Sequence, residues 1–314
     1  MNMAKNLILS AKTSQDIDRR VERILKGLGN PEPPLRLEDV RELLKLDLAF
    51  YRANDPGILS ETISRIRVAA IQVYKRPTLL GEVIKKMSLK ALYLPDRKRI
   101  LLDGDLPLLK HRWNEAHEIG HSIVPWHDDM MHGDNSQTVS LDCREHIEAE
   151  ANFAAGRLLF LRDRFVEEAL SLAPGIKSIR SLHGTFGNTL STTLYRYIEC
   201  AGGSVPFVGM ITGHPHTSKR KPDFDPTKPC RHFVRSPAFV QRFNKISEVA
   251  LFEGVARYCG NQRGGPLGSD ELVLMDDNGD KHRFSFETFF NRYDGLTLGT
   301  YLGPEKTKMV LAAA

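Results

Sequence analysis

The spacing of apolar residues changes character along the chain. In SQDIDRRVERILKG, residues 14–27, Ile17, Val21, Ile24 and Leu25 recur at helical spacing, and Ser14 is placed to cap that helix. After the break NPEPPLRLEDV, the run LEDVRELLKL predicts a second helix, and LDLAFYRA alternates like a strand. KALYLPDRKRILLDG reads as two short strands around a turn at Pro95-Asp96, the second ended by Asp103-Gly104. Residues 106–124 return to helical spacing. PWHDDMMHGDNSQTVSLD is a loop by its Gly, Asp, Asn and Pro content. EHIEAEANFAAGRLLFLR, residues 145–162, is a strong helix rich in good helix formers.

Beyond residue 162 the pattern becomes helix, turn, helix. RDRFVEEALSLA stops at Pro174-Gly175; IKSIRSLHGTFG and STTLYRYIECAG then flank a turn at Gly187-Asn188, with Ser191 a candidate cap. GGSVP reads as a linker. From residue 205 the runs VPFVGMI, RHFVRS, LFEGVARY, ELVLMDD and HRFSFETFF are β-like, and DDNGDKH suits a hairpin turn. The chain therefore divides into residues 1–162, a helical segment 163–202 and a β-rich α+β part 203–314, an α+β fold without internal repeats.

Composition narrows the class. With 41% hydrophobic and 26% charged residues in 314, the chain is of ordinary globular type. Leu7-Ile8-Leu9 is too short for a signal-peptide core, and no run approaches the ~18 apolar residues of a membrane span. The cysteines Cys143, Cys200, Cys230 and Cys259 form no CxxC pair, which suits a reducing cytosol and excludes a cysteine-rich zinc module. The expectation is a cytoplasmic protein with no membrane partner. A net charge of +5 is compatible with an anionic partner without requiring one.

Chemistry enters at NEAHEIGHSI, residues 114–123. Residues four apart on a helix lie one above the other, so His117 and His121 offer two imidazoles from one face. Such a pair can hold one tetrahedral zinc, with Glu118 one position round, able to take a proton from a metal-bound water. Glu148, on the next strong helix, is the best candidate for a third ligand; Ala151, Ala154 and Ala155 there leave room for close helix approach. Asn152, one turn on, is placed to orient a ligating histidine. Gly120 costs helix stability of about 1 kcal/mol relative to Ala, which makes sense if another element passes close by.

RWNEAHEIGHSIV followed by EAEANFAAGRLL resembles the ImmA/IrrE metallopeptidases, and the likeness spans roughly residues 15–200. The resemblance implies zinc on His117, His121 and Glu148, with Glu118 as catalytic base. It implies a zincin-like domain with a small sheet over 1–162, a helix-turn-helix packed on the peptidase, and a GAF-like C-terminal sensory domain. It further implies an endopeptidase that cleaves a helix-turn-helix repressor under a stress signal such as DNA damage, in some relatives beside antiviral defence systems. Glu115 departs from the family's usual apolar residue, Phe153 stands one position early, and Phe160-Leu161 replace a frequent proline.

Other residues have more than one reading. His183, Tyr195 and Arg196 are candidate oxyanion donors if the helix-turn-helix packs on the peptidase. Cys143 is a candidate inhibitory fourth ligand, with His127, His132 and His146 as rivals. The strand Arg99–Leu102 is a candidate edge for substrate addition. Lys219, Arg220, Lys221, Lys228, Arg231 and Arg235, interleaved with Phe224 and Phe233, suit single-stranded DNA as an activator. The alternative class is a DNA-binding regulator with structural zinc and no proteolysis, although STTLYRYIECAG carries only Arg196 as a basic residue.

Overall fold

The computed structural model describes residues 9–51, 91–106, 108–127 and 141–305. They form a mixed α+β architecture in two compact units, residues 1–162 with 186–188, and residues 163–185 with 189–314.

In the first unit, α1 (Ala11–Gly27) buries the apolar stripe Ile17, Val21, Ile24 and Leu25. Its cap is Ser10, whose hydroxyl accepts from the Thr13 amide, while Ser14 lies inside the helix and donates to the Ser10 and Ala11 carbonyls. Both serines suit a cap, and the one turn of helix before Ser14 decides between them. α2 (Leu37–Leu44) ends at Lys45 in the left-handed conformation, φ 56°. A three-stranded sheet follows: β1 (Asp47–Tyr51), β2 (Ala91–Leu94) and β3 (Arg99–Asp103), in the order β1-β3-β2.

β3 is thus the middle strand, parallel to β1 and antiparallel to β2, with Ile100, Leu101 and Leu102 all buried. Its hydrogen-bonding edges are both filled, which corrects the expectation that Arg99–Leu102 receives a substrate strand. Among the described residues, two further helices belong to the unit. α3 (Leu108–Ile123) packs on β2 and β3, and α4 (Leu141–Leu159) lies along α3 and α1.

α4 stops at Leu159, and Leu161 and Arg162 turn the chain at φ 50° and 53°. Arg157 and Arg162 both bond Asp18 of α1, the second through Nη2 at 2.5 Å. Burial alone would raise the Asp18 carboxyl, but the Arg162 and Arg157 hydrogen bonds outweigh it and hold it below its ordinary value. A depressed carboxylate stabilises the fold above the unfolded value of about 3.9, and that contribution is lost as pH falls through the native value. Asp18→Asn is expected to destabilise the unit by about 1.5–3 kcal/mol in urea unfolding at pH 7, and to flatten the acid limb of the stability–pH curve. Equal stability of variant and wild type at pH 7 would show that this clamp is idle.

The second unit begins with α5 (Asp163–Ser171), α6 (Ile176–Phe186) and α7 (Leu190–Ala201). Its antiparallel sheet is built from β4 (Phe207–Thr212), β5 (Cys230–Arg235), β6 (Gly265–Met275), β7 (Lys281–Phe290) and β8 (Gly295–Pro304), in the order β5-β4-β8-β7-β6. α7 packs against α5 and strands β4, β5 and β8, and its cap is Thr189, not Ser191, whose hydroxyl instead donates to Asp294.

Between β5 and β6 lie α8 (Pro237–Phe243) and α9 (Glu248–Tyr258), each started by a serine cap. LFEGVARY is therefore helical, where its aromatic and β-branched residues suggested a strand. Leu251, Phe252 and Val255 share a buried helical stripe, and Ser247 accepts from the Ala250 amide. Phe239, Phe243, Phe252, Phe284 and Phe286 fill the core between these helices and the sheet.

Candidate metal centre

His117 and His121 project from the same face of α3, their Nε2 atoms 3.2 Å apart. Glu148 on α4 presents Oε2 at 3.1 Å from His117 Nε2 and Oε1 at 3.8 Å from His121 Nε2. One ligand atom from each of the three lies within 4.8 Å of the others, a set able to hold a metal ion. Two nitrogens bound to one tetrahedral zinc at ~2.0–2.1 Å stand about 3.3 Å apart, so the histidine spacing fits that ion.

The helices approach this closely because of Gly120. A Cβ built there would lie 2.6 Å from the Ala151 carbonyl oxygen and 3.2 Å from its Cα, both backbone atoms of α4. Ala151, Ala154 and Ala155 are fully buried, Ala151 in the seam itself. Glycine on one helix and alanines on the other bring two histidines and a carboxylate from separate helices to one point.

The far nitrogen of each histidine is engaged. His117 Nδ1 lies 3.1 Å from Asn152 Oδ1, so Nδ1–H donates and Nε2 keeps its lone pair for a metal. His121 Nδ1 lies 3.0 Å from Nδ1 of the fully buried His127, whose Nε2 is 2.8 Å from Glu150 Oε2. With Glu150 accepting, His127 donates from Nε2 and accepts at Nδ1, so His121 donates from Nδ1 and its Nε2 is again the free lone pair. Trp126 Nε1 donates to the same Glu150 oxygen at 2.6 Å.

This relay was absent from the sequence reading, which placed His127 only as a rival fourth ligand. Both its nitrogens are occupied, so it orients His121. His127→Ala and Glu150→Gln are each expected to weaken metal affinity by roughly 10–100-fold in a chelator-competition titration. Wild-type affinity in both variants would remove the relay from the site.

Electrostatics sort the groups. Burial, with the neighbouring His117 charge, pushes His121 down to about 3, leaving it a neutral donor. His117 is also pushed down by burial, but its hydrogen bond to the accepting Glu148 carboxylate and the charge of Glu118 carry it upward. Burial would raise Glu148, and its bond to His117 outweighs that and holds it low. Glu118 is pushed up to about 7, chiefly by burial, against the opposing His117 charge and a backbone hydrogen bond from Tyr93. A buried carboxylate tuned near neutrality beside a metal set has the properties of a general base.

Residues 68–197 match the family model of the peptidase M78 group, described as the IrrE N-terminal-like domain. Residues 68–197 are IrrE N-terminal-like. A solved Mycobacterium tuberculosis transcriptional regulator is similar in fold, with a TM-score of 0.50 and 15% identity over 91% of this chain and 88% of that one. No curated protein matches the sequence. Among the described residues no helix is long and apolar enough to cross a membrane.

Glu115, out of pattern for the resemblance, is explained by Arg41, which precedes the IrrE-like residues. The Arg41 Nε donates to Glu115 Oε1 at 2.7 Å, tying α2 to α3. Arg112, to which the sequence reading gave no role, bonds the Leu35 and Phe186 carbonyls and Asn188 Oδ1. Cys143 sits in the first turn of α4 and His132 between α3 and α4; the Cys143 side chain and the whole of His132 lie outside the described residues. His146 is exposed on α4.

The remaining candidates belong to the second unit. His183 is on α6; Tyr195 meets His232 edge-on at 5.9 Å; Arg196 bonds Glu199 at 3.2 Å. Of the basic residues, Arg220 lies over Phe224 and Phe252, Arg231 pairs with Asp294 at 2.6 Å, and Arg235 lies over Phe233 and bonds Asn244. Lys219, Lys221 and Lys228 are exposed. Phe224 and Phe233 pack against the domain core, where a stacking platform for bases would need open ring faces.

Proposed function

We propose that this chain is a zinc-dependent endopeptidase that cleaves a helix-turn-helix transcriptional repressor in response to a stress signal such as DNA damage. The observation that carries the reading is the convergence of His117, His121 and Glu148 with Glu118 beside them, each histidine held in the tautomer that turns Nε2 toward the shared point. Zinc bound there supplies polarisation of the scissile carbonyl and acidification of a water. Glu118 accepts the proton of the attacking water at its carboxylate and passes it to the leaving amine nitrogen. Burial of Glu118 excludes bulk solvent, so the proton is handed on within the site. The second unit is assigned a GAF-like sensory role.

The regulatory side of the reading is supported by the IrrE-like family match and by the fold likeness to a transcriptional regulator. Against the DNA-binding alternative, α7 turns Thr193, Leu194, Tyr197 and Ile198 inward, and its most exposed residue is the acidic Glu199, so it presents no row of basic and polar side chains to base edges. The test is to incubate the zinc-loaded full chain with a helix-turn-helix repressor encoded beside it, and to identify fragments by mass spectrometry. Discrete cleavage, abolished by chelation and by Glu118→Gln, is the expected result. Tight duplex binding with no cleavage in any condition would replace this reading with the DNA-binding one.

A further inference from the structure

The second unit contains an open cavity of about 1360 Å³, above the ~300–1,000 Å³ of ordinary ligand pockets. Its charged lining is all of one sign. Lys177 and Arg180 come from α6, Lys219 from the short helical turn Thr217–Lys219, Arg263 from the segment before β6, and Arg292 from the β7–β8 turn. No Asp or Glu lines the cavity. Among the described residues none of these cations forms an ion pair, and Arg180 rests on the Phe289 ring at 5.1 Å.

The carboxylates nearby in sequence are engaged elsewhere. Glu287 accepts the Ile176 amide at the start of α6, and Asp294 pairs with Arg231 and Ser191. All five cations are exposed, so solvent screens their mutual repulsion, and together they set up a positive potential that favours an anion in the cavity.

Backbone conformation points to the same place. Arg292 is held at φ 78°, a left-handed conformation that costs a residue with a side chain, in a turn where Asn291 Oδ1 accepts the Tyr293 and Asp294 amides. That turn puts the Arg292 stem beside Gly264, where an added Cβ would meet Arg292 Cγ at 3.5 Å. Gly265 follows at φ 89° with nothing within 4 Å of an added Cβ, so the backbone there is open to a ligand. Phe289 and Phe290 add an apolar wall to the same cavity.

We propose that this cavity binds a nucleoside polyphosphate, with the phosphates among Lys177, Arg180, Lys219, Arg263 and Arg292 and the nucleoside beside the apolar wall of Phe289 and Phe290, without a face-on stack. Charge density selects a polyanion, and cavity size together with the apolar wall selects an organic one over a bare phosphate. The site is independent of the peptidase reading, because binding is measured without proteolysis.

The experiment titrates the full chain with ATP, GTP, inorganic triphosphate and a single-stranded oligonucleotide by calorimetry at fixed salt. Saturable nucleotide binding is expected, at least tenfold tighter than triphosphate. Lys177→Ala/Arg263→Ala and Arg292→Ala should each weaken it tenfold or more, with unchanged thermal unfolding in the unliganded state. Arg283→Ala, outside the cavity lining, should leave it unchanged. Absence of nucleotide binding at millimolar concentration, binding insensitive to the cavity variants, or triphosphate binding as tight as ATP would overturn the proposal. Displacement of nucleotide by a tighter oligonucleotide would overturn it in favour of nucleic acid.

Discussion

Glu118→Gln should lower peptide-bond hydrolysis by roughly 10²–10⁴-fold while the protein still takes up zinc. Glutamine keeps the shape of the side chain and can keep the hydrogen bond near Tyr93, but it cannot accept the water's proton. Burial pushes the carboxylate up to about 7, and a zinc ion held beside it would draw it down from there, toward the ionised form a base needs. It is not one of the three groups whose ligand atoms converge, and His117 Nε2, His121 Nε2 and Glu148 remain as they were. Turnover of a repressor substrate and zinc content are read on the same sample. Full activity in a correctly loaded variant would remove Glu118 as the base. Lost activity with lost zinc would instead make it structural, and Glu118→Asp, which keeps the acid and shortens its reach, separates the two by restoring metal content without full rate.

A side chain at Gly120 should damage the centre without touching any ligand. The added Cβ meets backbone at 2.6 Å, and backbone cannot swing aside as the end of a flexible side chain can. Alanine gains about 1 kcal/mol of helix propensity over glycine, so an exposed site would be stabilised by Gly120→Ala. Here overpacking of about 1–3 kcal/mol acts against that gain, and Gly120→Val adds two methyl groups to the same seam. The expected result is a graded loss from Ala to Val in both thermal stability and zinc affinity, because α3 carries the histidines and α4 carries Glu148. Stability and zinc affinity equal to wild type in Gly120→Val would show that the helices are not held by this contact.

Much of the centre was legible because its determinants are local. The four-residue spacing of His117 and His121 is a property of one helix, and the alanines near Glu148 belong to one run of sequence. The Glu150–His127–His121 relay was not legible, because His127 follows α3 and Glu150 sits on α4. A histidine just past the α3 pattern and a glutamate two positions past Glu148 were the available signals, and neither says which nitrogen faces which. The misread runs have local causes too. LFEGVARY has strand-like residue types at helical spacing, and the serine before it was the overlooked sign. β3 was taken for an edge because strand order is set by pairing partners distant in sequence.

What the sequence by itself determined is the pair of histidines on one helix face, the glutamate between them, the carboxylate that joins them in a group able to hold a metal, and the α+β class, all of which follow from periodicity and residue chemistry within single segments. Tertiary structure alone decided that Gly120 meets the Ala151 backbone, that Arg41 answers Glu115, and that cations from four separate segments converge on one cavity. The physical reason is that charge pairing and close packing act through space, over a few ångströms, between residues whose separation along the chain carries no information about their contact.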